Sequence, residues 1–263
     1  MKYTGAAFFD YDGTLVDERQ NIFSPTEETQ NAMKKLKEKG YLICLSTARS
    51  LSYVPHSCIE FDGYIAANGA YASVGQEIFL NLTFKKELYE KAMLEFGKRE
   101  LQYSFENQQC FYANDTEGDK YLKMLEIFGI SKDNLRPLDK MDFSTINKAL
   151  VTFNTDSEFD ELKSVFNGEL VFERHRMHYS ADVSMYGINK GTGVKSILDK
   201  LDIPFSNTYA FGDSINDVEM LNNVCHGVAM GISSAEVQNA AEFITKNVAE
   251  DGVSFALKHY GIL

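Results

Sequence analysis

The 263-residue sequence contains no long apolar run. Its longest early stretch, Gly5-Ala6-Ala7-Phe8-Phe9, stops at Asp10. That is too short for the core of a secretory signal and far too short for a membrane span. Cysteine is sparse. Cys44, Cys58, Cys110 and Cys225 form no CxxC pair and no cysteine–histidine cluster with zinc spacing, so free thiols in a reducing cytoplasm are expected. Basic residues are outnumbered, 26 Lys+Arg against 38 Asp+Glu, for a formal net charge of -12. This opposes the basic footprint of a nucleic-acid or anionic-membrane binder. An anionic substrate stays open, because a few local cations and a metal can override the global field. There is no low-complexity tract and no internal repeat. The expectation is a cytoplasmic protein with no nucleic-acid, membrane or obligatory protein partner.

What is present is ordinary for a globular chain: 44% hydrophobic and 24% charged residues. The length allows one large domain or two modest ones, and a chain of this size buries about 70–75% of its unfolded surface without a disulfide or metal staple.

Ala6 to Phe9 reads as a buried strand ending in Asp10-Tyr11-Asp12-Gly13-Thr14. Ser24-Pro25-Thr26-Glu27 reads as a capping box with Pro at the first helical position, and Gly40 ends that helix. Buried strands follow at Tyr41–Leu45 and Tyr64–Ala67, an alternation that predicts a parallel sheet with helices on both faces. After Asn68-Gly69-Ala70 the rhythm changes to a helix near 82–100, then alternating runs interleaved with helices near 117–128 and 157–166. It returns to the first rhythm with a helix from Lys190 to Leu201 and short apolar strands before Gly212-Asp213 and Gly231. The expected architecture is α/β. A Rossmann-like parallel-sheet core occupies residues 1–81 and 186–263, and an α+β cap domain is inserted over 82–185.

Asp10 and Asp12 stand two apart at a strand end, where side chains share a side and open α/β sheets bind ligands. Carboxylates that close repel, so a cation is expected beside them. An EF-hand loop is excluded, because Gly13 stands fourth rather than sixth and Asn21 holds the twelfth place. Ser46-Thr47-Ala48-Arg49 puts hydroxyls after the next strand, as phosphate donors or as a helix cap. Lys190 opens a helix, as a phosphate-neutralising point charge or a solvated surface residue. The adjoining Gly191-Thr192-Gly193 fits neither the P-loop nor the dinucleotide pattern. Phe211-Gly212-Asp213-Ser214-Ile215-Asn216-Asp217 supplies oxygen donors of the kind Mg²⁺ prefers.

Together these segments resemble the haloacid dehalogenase (HAD) superfamily of phosphohydrolases. Asp10-Tyr11-Asp12-Gly13-Thr14 is similar to its first motif and Thr47 falls at the second. Lys190 falls at the third, and Gly212-Asp213 with Asn216-Asp217 at the fourth. Asn68-Gly69-Ala70 before the insert, Val228-Ala229-Met230-Gly231 and Asp251-Gly252-Val253 narrow the resemblance to the Cof-like group with a C2-type cap. Ala48 departs from the Gly usual in that group's Thr-Gly-Arg, and is small enough that little consequence is expected.

The resemblance implies a Mg²⁺-dependent phosphatase acting on small phosphomonoesters, such as sugar phosphates. It makes Asp10 the nucleophile that becomes an aspartyl phosphate, and Asp12 the general acid and then base. It assigns Mg²⁺ to a carboxylate oxygen of Asp10, the backbone carbonyl of Asp12 and a carboxylate oxygen of Asp213. Thr47, Lys190 and Asn216 would bind phosphoryl oxygens, with Asp217 in support. A phosphomutase on the same scaffold and a non-catalytic phosphate-ligand sensor are the alternatives. Asn68 and Arg49 are candidate substrate contacts. So are Arg174, Arg176 and His178 of the cationic and aromatic cluster Arg174–Tyr179, for which a solvated sheet face is the competing reading.

Overall fold

The computed structural model describes residues 3–54, 58–175 and 178–263. Contacts divide these into two units. One comprises residues up to Ala48, the stretch ending at Asn81, and Asn189–Leu263; the other comprises 49–54 and Leu82–Ile188.

The first unit starts with β1 (Gly5–Phe9), every residue of which is buried. That is why an unbroken apolar run, not an alternating one, marks this strand: both its faces are covered. Helix α1 (Glu27–Glu38) buries Ala32, Met33 and Leu36 on one stripe. Its cap is Thr26, not Ser24, because the Thr26 hydroxyl accepts the backbone N–H of Thr29 at 3.2 Å. Then come β2 (Tyr41–Ser46) and β3 (Gly63–Ala66), followed by a hairpin of β4 (Tyr71–Val74) and β5 (Glu77–Asn81).

The second unit carries α2 (Lys86–Lys98), β6 (Tyr103–Glu106), β7 (Phe111–Ala113), α3 (Asp119–Ile127), β8 (Leu135–Pro137), β9 (Lys148–Thr152), α4 (Asp156–Val165), β10 (Leu170–Arg174) and β11 (Ser180–Met185). Its sheet runs β10-β11-β9-β6-β7-β8, antiparallel except for the β7–β8 pair. Phe96, Phe105, Phe153, Phe166 and Val183 lie in its core. Residues 49–54 join this unit because its strands and loops satisfy their polar groups. Ser50 Oγ donates to Glu106 Oε2 at 3.1 Å, Leu51 N–H donates to Gln108 Oε1 at 2.9 Å, and Lys148 Nζ donates to Tyr53 OH at 2.9 Å.

The chain closes the first unit with α5 (Lys190–Leu201), β12 (Thr208–Gly212), α6 (Val218–Asn222), β13 (His226–Ala229), α7 (Ala235–Ala240), β14 (Phe243–Ile244) and α8 (Gly252–His259). The resulting sheet has the order β14-β13-β12-β1-β2-β3-β4-β5. It is parallel from β14 to β3, with the β4–β5 hairpin antiparallel at one edge. The central strand β1 therefore pairs on one side with β2 and on the other with β12. No described helix is long and apolar enough to cross a membrane.

Candidate active site

Register between β1 and β12 builds the site. Phe9 pairs with Phe211, their rings stack with centroids 4.8 Å apart, and Asp10 N–H donates to Phe211 O at 2.9 Å. Asp10 and Asp213 thus leave the carboxyl ends of neighbouring strands together. Beyond Phe9 the chain turns at once, with Tyr11 O accepting the N–H groups of Thr14, Leu15 and Val16. The turn gives the first two acids different surroundings. Asp10 is buried and Asp12 exposed, so the simple expectation of two equivalent strand-end carboxylates gives way to a buried and a solvated one. Gly13 makes the turn with φ +89°, and a Cβ there would fall 2.3 Å from Asp213 Oδ2.

Lys190 enters from the first turn of α5. Asn189 caps that helix, its side chain accepting from Thr192 N while the Thr192 hydroxyl accepts from Asn189 N. Gly193 lets the helix lie close on the sheet, since a Cβ would meet Ile65 Cγ2 at 2.4 Å. The glycines that mimic a phosphate loop are therefore packing residues, and they seat Lys190. Its Nζ lies 2.6 Å from Asp10 Oδ1 and 2.6 Å from Asp217 Oδ1, with the ammonium almost wholly buried. The other Asp217 oxygen accepts the N–H groups of Asp213 and Ser214, each at 3.0 Å. Both oxygens of Asp217 are committed, which suits support of Lys190 and of the 213–214 turn.

The electrostatics follow from this crowding. Burial and then the Asp217 charge push Asp10 well above the ordinary carboxylate range, against the pull of Lys190. Burial and the same neighbour raise Asp213 to about 7. Lys190 is raised above an ordinary lysine, because Asp10 and Asp217 outweigh its desolvation. Ligand atoms of Asp10, Asp213 and Asp217 lie within 4.8 Å of one another, and Asp213 Oδ1 is buried without a hydrogen-bond partner. An oxygen-only donor set, one orphaned carboxylate oxygen and uncompensated negative charge fit a hard divalent cation such as Mg²⁺. With Asp217 committed to Lys190, the oxygens of Asp10 and Asp213 are the ones best placed to hold it.

Thr47 is buried at the end of β2, its N–H donating to Ile65 O at 2.8 Å and its carbonyl accepting from Asn68 N at 3.2 Å. Asn68 is buried with φ 53°. Ser214 Oγ donates to Asn216 Oδ1 at 2.6 Å, so the amide of Asn216 has its N–H donors left to offer. All of these belong to the first unit with Asp10, Asp12, Asp213 and Lys190. Arg49, Arg174 and His178 belong to the second. The Arg49 guanidinium lies 5.6 Å from the Tyr53 ring centroid. Arg174 pairs with Asp156 at 2.6 Å and stacks 5.3 Å from both the Phe153 and Tyr179 rings. His178 sits edge-on to Phe128. Arg176 lies outside the described residues.

Two features escaped the sequence reading. One is the Asp17–Arg19 pair in the excursion after Asp10-Tyr11-Asp12, where Arg19 Nε donates to Asp17 Oδ1 at 2.9 Å. The other is a buried charged group in the second unit, in which Lys148 Nζ lies 2.8 Å from Asp182 Oδ1 and 4.0 Å from Glu106 Oε2. Charged residues set in otherwise apolar strand runs, Glu106 at the end of β6, Lys148 at the start of β9 and Asp182 within β11, are the signal for the second.

The profile of haloacid dehalogenase-like hydrolases matches residues 7–257. The chain belongs to that family. The Bacillus subtilis protein YkrA, provisionally named a phosphatase, is 29% identical over 97% of this chain and 97% of its own length. The 5-amino-6-(5-phospho-D-ribitylamino)uracil phosphatase YcsE of the same organism is 24% identical over 95% of this chain and 93% of its own. Among solved structures, the HAD subclass IIB sugar phosphatase BT4131 superposes with a TM-score of 0.81 at 26% identity, covering 99% of this chain and 100% of the other. The fold and the enzyme class, a phosphoric monoester hydrolase with a Rossmann-like core and a cap, follow from these likenesses and the sheet topology.

Proposed function

We propose that the protein is a Mg²⁺-dependent cytoplasmic phosphatase that hydrolyses small phosphomonoesters through an aspartyl phosphate on Asp10. One observation carries this reading: a buried carboxylate, Asp10, gripped by a buried ammonium beside an orphaned carboxylate oxygen of Asp213. A carboxylate so placed is desolvated and oriented, as a nucleophile must be. Bound Mg²⁺ would offset the negative charge of Asp10 and Asp213, allowing a phosphate dianion to approach.

Asp10 would attack phosphorus while exposed Asp12 gives its proton to the departing alkoxide, then takes one from the water that cleaves the acyl phosphate. Proton donation to so poor a leaving group is worth roughly 10²–10⁴-fold. Lys190, Thr47 and Asn216 would hold the phosphoryl oxygens, whose charge is spread in a loose transition state. Sugar phosphates and similar metabolites are the proposed substrates. The sugar phosphatase BT4131 and the ribitylaminouracil phosphatase YcsE, each similar over nearly the whole chain, support that class. The unpaired state of all four cysteines supports a reducing compartment. The proposed cap is the second unit, with Leu82 and Ile188 near its limits.

The deciding experiment is turnover of a panel of phosphorylated metabolites with and without Mg²⁺, coupled to mass spectrometry of the acid-quenched enzyme. Release of inorganic phosphate and one transient phosphoryl group on Asp10 are expected. No release from any substrate would overturn the reading, and isomerised product with a bisphosphate requirement would make the protein a mutase.

A further inference from the structure

We propose that Ser50 is a positioning residue: bonded to Glu106, it fastens the chain just beyond Thr47 and so holds Thr47, and through the turn at 67–69 the base of Lys190, in place for phosphoryl transfer. The reaction it serves rests on the phosphatase reading, and the fastening rests on bonds within the protein.

The chain passes from the first unit to the second directly after Thr47, between Ala48 and Arg49. In the first unit Thr47 donates its N–H to Ile65 O at 2.8 Å, and its carbonyl accepts from Asn68 N at 3.2 Å. Asn68 belongs to a strained turn. Ala67 and Asn68 hold φ of 50° and 53°, a left-handed backbone that a side chain resists. Such strain persists only where the surroundings impose it. The next residue, Gly69, is pressed against the start of α5, since a Cβ there would fall 1.8 Å from Asn189 O and 2.9 Å from Lys190 N. Lys190 Nζ in turn lies 2.6 Å from Asp10 Oδ1. A line of contacts therefore runs from Thr47 through residues 68 and 69 to Lys190 and the nucleophile.

Ser50 stands at the other end of this line. Three residues of chain span at most about 11 Å, so whatever fixes Ser50 limits where Thr47 can go. Ser50 is fully buried. Its one hydroxyl proton goes to Glu106 Oε2 at 3.1 Å, so the 2.8 Å contact with Ser52 Oγ is a bond that Ser52 donates. The next residues repeat the fastening. Leu51 N–H donates to Gln108 Oε1 at 2.9 Å, and Asn134 Nδ2 donates to Ser52 O. Tyr53 OH accepts from Lys148 Nζ at 2.9 Å, and its ring centroid lies 5.1 Å from that of Phe111. An ordinary connecting loop leaves its polar groups to water. A segment this short and this closely bonded passes a displacement along the chain to Thr47 instead of absorbing it.

The test is hydrogen exchange at the Thr47 and Asn68 amides of the full chain, with turnover measured in parallel. Ser50→Ala should speed exchange at both amides about fivefold or more and lower kcat about tenfold. Glu106→Leu removes the acceptor and should do the same, whereas Glu106→Gln keeps an acceptor for Ser50 and should match the wild type in both readouts. Thr155→Ala removes the cap of α4, whose hydroxyl accepts Glu158 N at 3.2 Å. It should lower the stability of the second unit and move neither readout. If Ser50→Ala does not fold, Tyr53→Phe deletes the acceptor of Lys148 alone and should give the same changes in smaller measure. Unchanged exchange or wild-type kcat in the folded variant, or an equal acceleration in Thr155→Ala, would overturn the inference. Failure of the wild type to turn over any substrate would instead overturn the phosphatase reading, and exchange at the two amides would still decide the role of Ser50.

Discussion

Gly13 lies against the carboxylate of Asp213, so closely that a Cβ on Gly13 would sit 2.3 Å from Oδ2. The first turn of the chain and the Gly212–Asp217 segment are therefore fitted to each other, although 200 residues separate Gly13 from Asp213. Gly13→Ala meets two obstacles, a φ of +89° and the displaced carboxylate. We expect at least a hundredfold loss in kcat/KM, since an ångström of misplacement at a reacting centre has about that effect. We also expect weaker Mg²⁺ binding, with secondary structure retained by circular dichroism. Activity within threefold of wild type would show that Asp213 need not hold this position.

Asp10 gives a sharper separation of fold from chemistry. Its carboxyl is held well above the ordinary range by burial and by Asp217. In metal-free protein the ionised form is thus a net liability to folding, fully present only above the raised pKa and absent below the unfolded value. Asp10→Asn removes the charge and keeps an acceptor for Lys190. We expect turnover to fall by about three orders of magnitude or more, while Tm of the metal-free protein at neutral pH does not fall. A large drop in Tm would mean that Asp10 is needed for structure, and near-normal turnover would remove it as nucleophile.

Metal binding should carry the signature of Asp213. Its carboxyl titrates near pH 7, and a ligand oxygen must be deprotonated to hold a cation. Protons therefore compete with Mg²⁺ below pH 7 and cease to compete above it. Apparent Mg²⁺ affinity, followed by calorimetry, should rise about fivefold between pH 6 and pH 7 and about twofold more by pH 8. Asp213→Ala should weaken Mg²⁺ binding and reduce that rise, leaving only the share due to the raised carboxyl of Asp10. A pH-independent affinity in the wild type would exclude Asp213 as the titrating ligand.

Much of this site was legible beforehand because its parts are local. An apolar run ending in Asp10, a second acid two residues on and a helix opening at Lys190 are each written within a few neighbours. What was hidden depends on partners distant in sequence or on competition between equal signals. Thr26 displaced Ser24 as cap although both fit the composition rule. The β4–β5 hairpin is too short and too exposed to show clear alternation, with no β5 residue fully buried. Residues 49–54 follow β2 directly, and only their bonds to Glu106, Gln108 and Lys148 reveal that they pack with the second unit. Asp17 and Arg19 look like ordinary polar loop residues until the burial of Asp17 is known.

Glu106 carries a cost of the same kind. It is fully buried opposite Lys148 in the β6–β9 register, with Oε1 lacking any hydrogen-bond partner. Burial raises its pKa to about 7, with Asp182 adding to the rise and Lys148 and Ser50 opposing it. The folded pKa lies above the unfolded value near 4.3. The unfolded chain therefore gives up this proton first, and stability is lost as pH climbs from about 4 to about 7, then stays at the lower level. Lys148 does not depend on Glu106 for a counter-ion, because Asp182 is closer at 2.8 Å. Glu106→Gln keeps the shape and an acceptor for Ser50 while removing the buried charge. It should raise stability at pH 8 by about 1–3 kcal/mol and change it little at pH 4.5, read from urea unfolding at the two values. Equal destabilisation at both would show that the Glu106 charge is satisfied by Lys148 after all, and that the pair stabilises this unit.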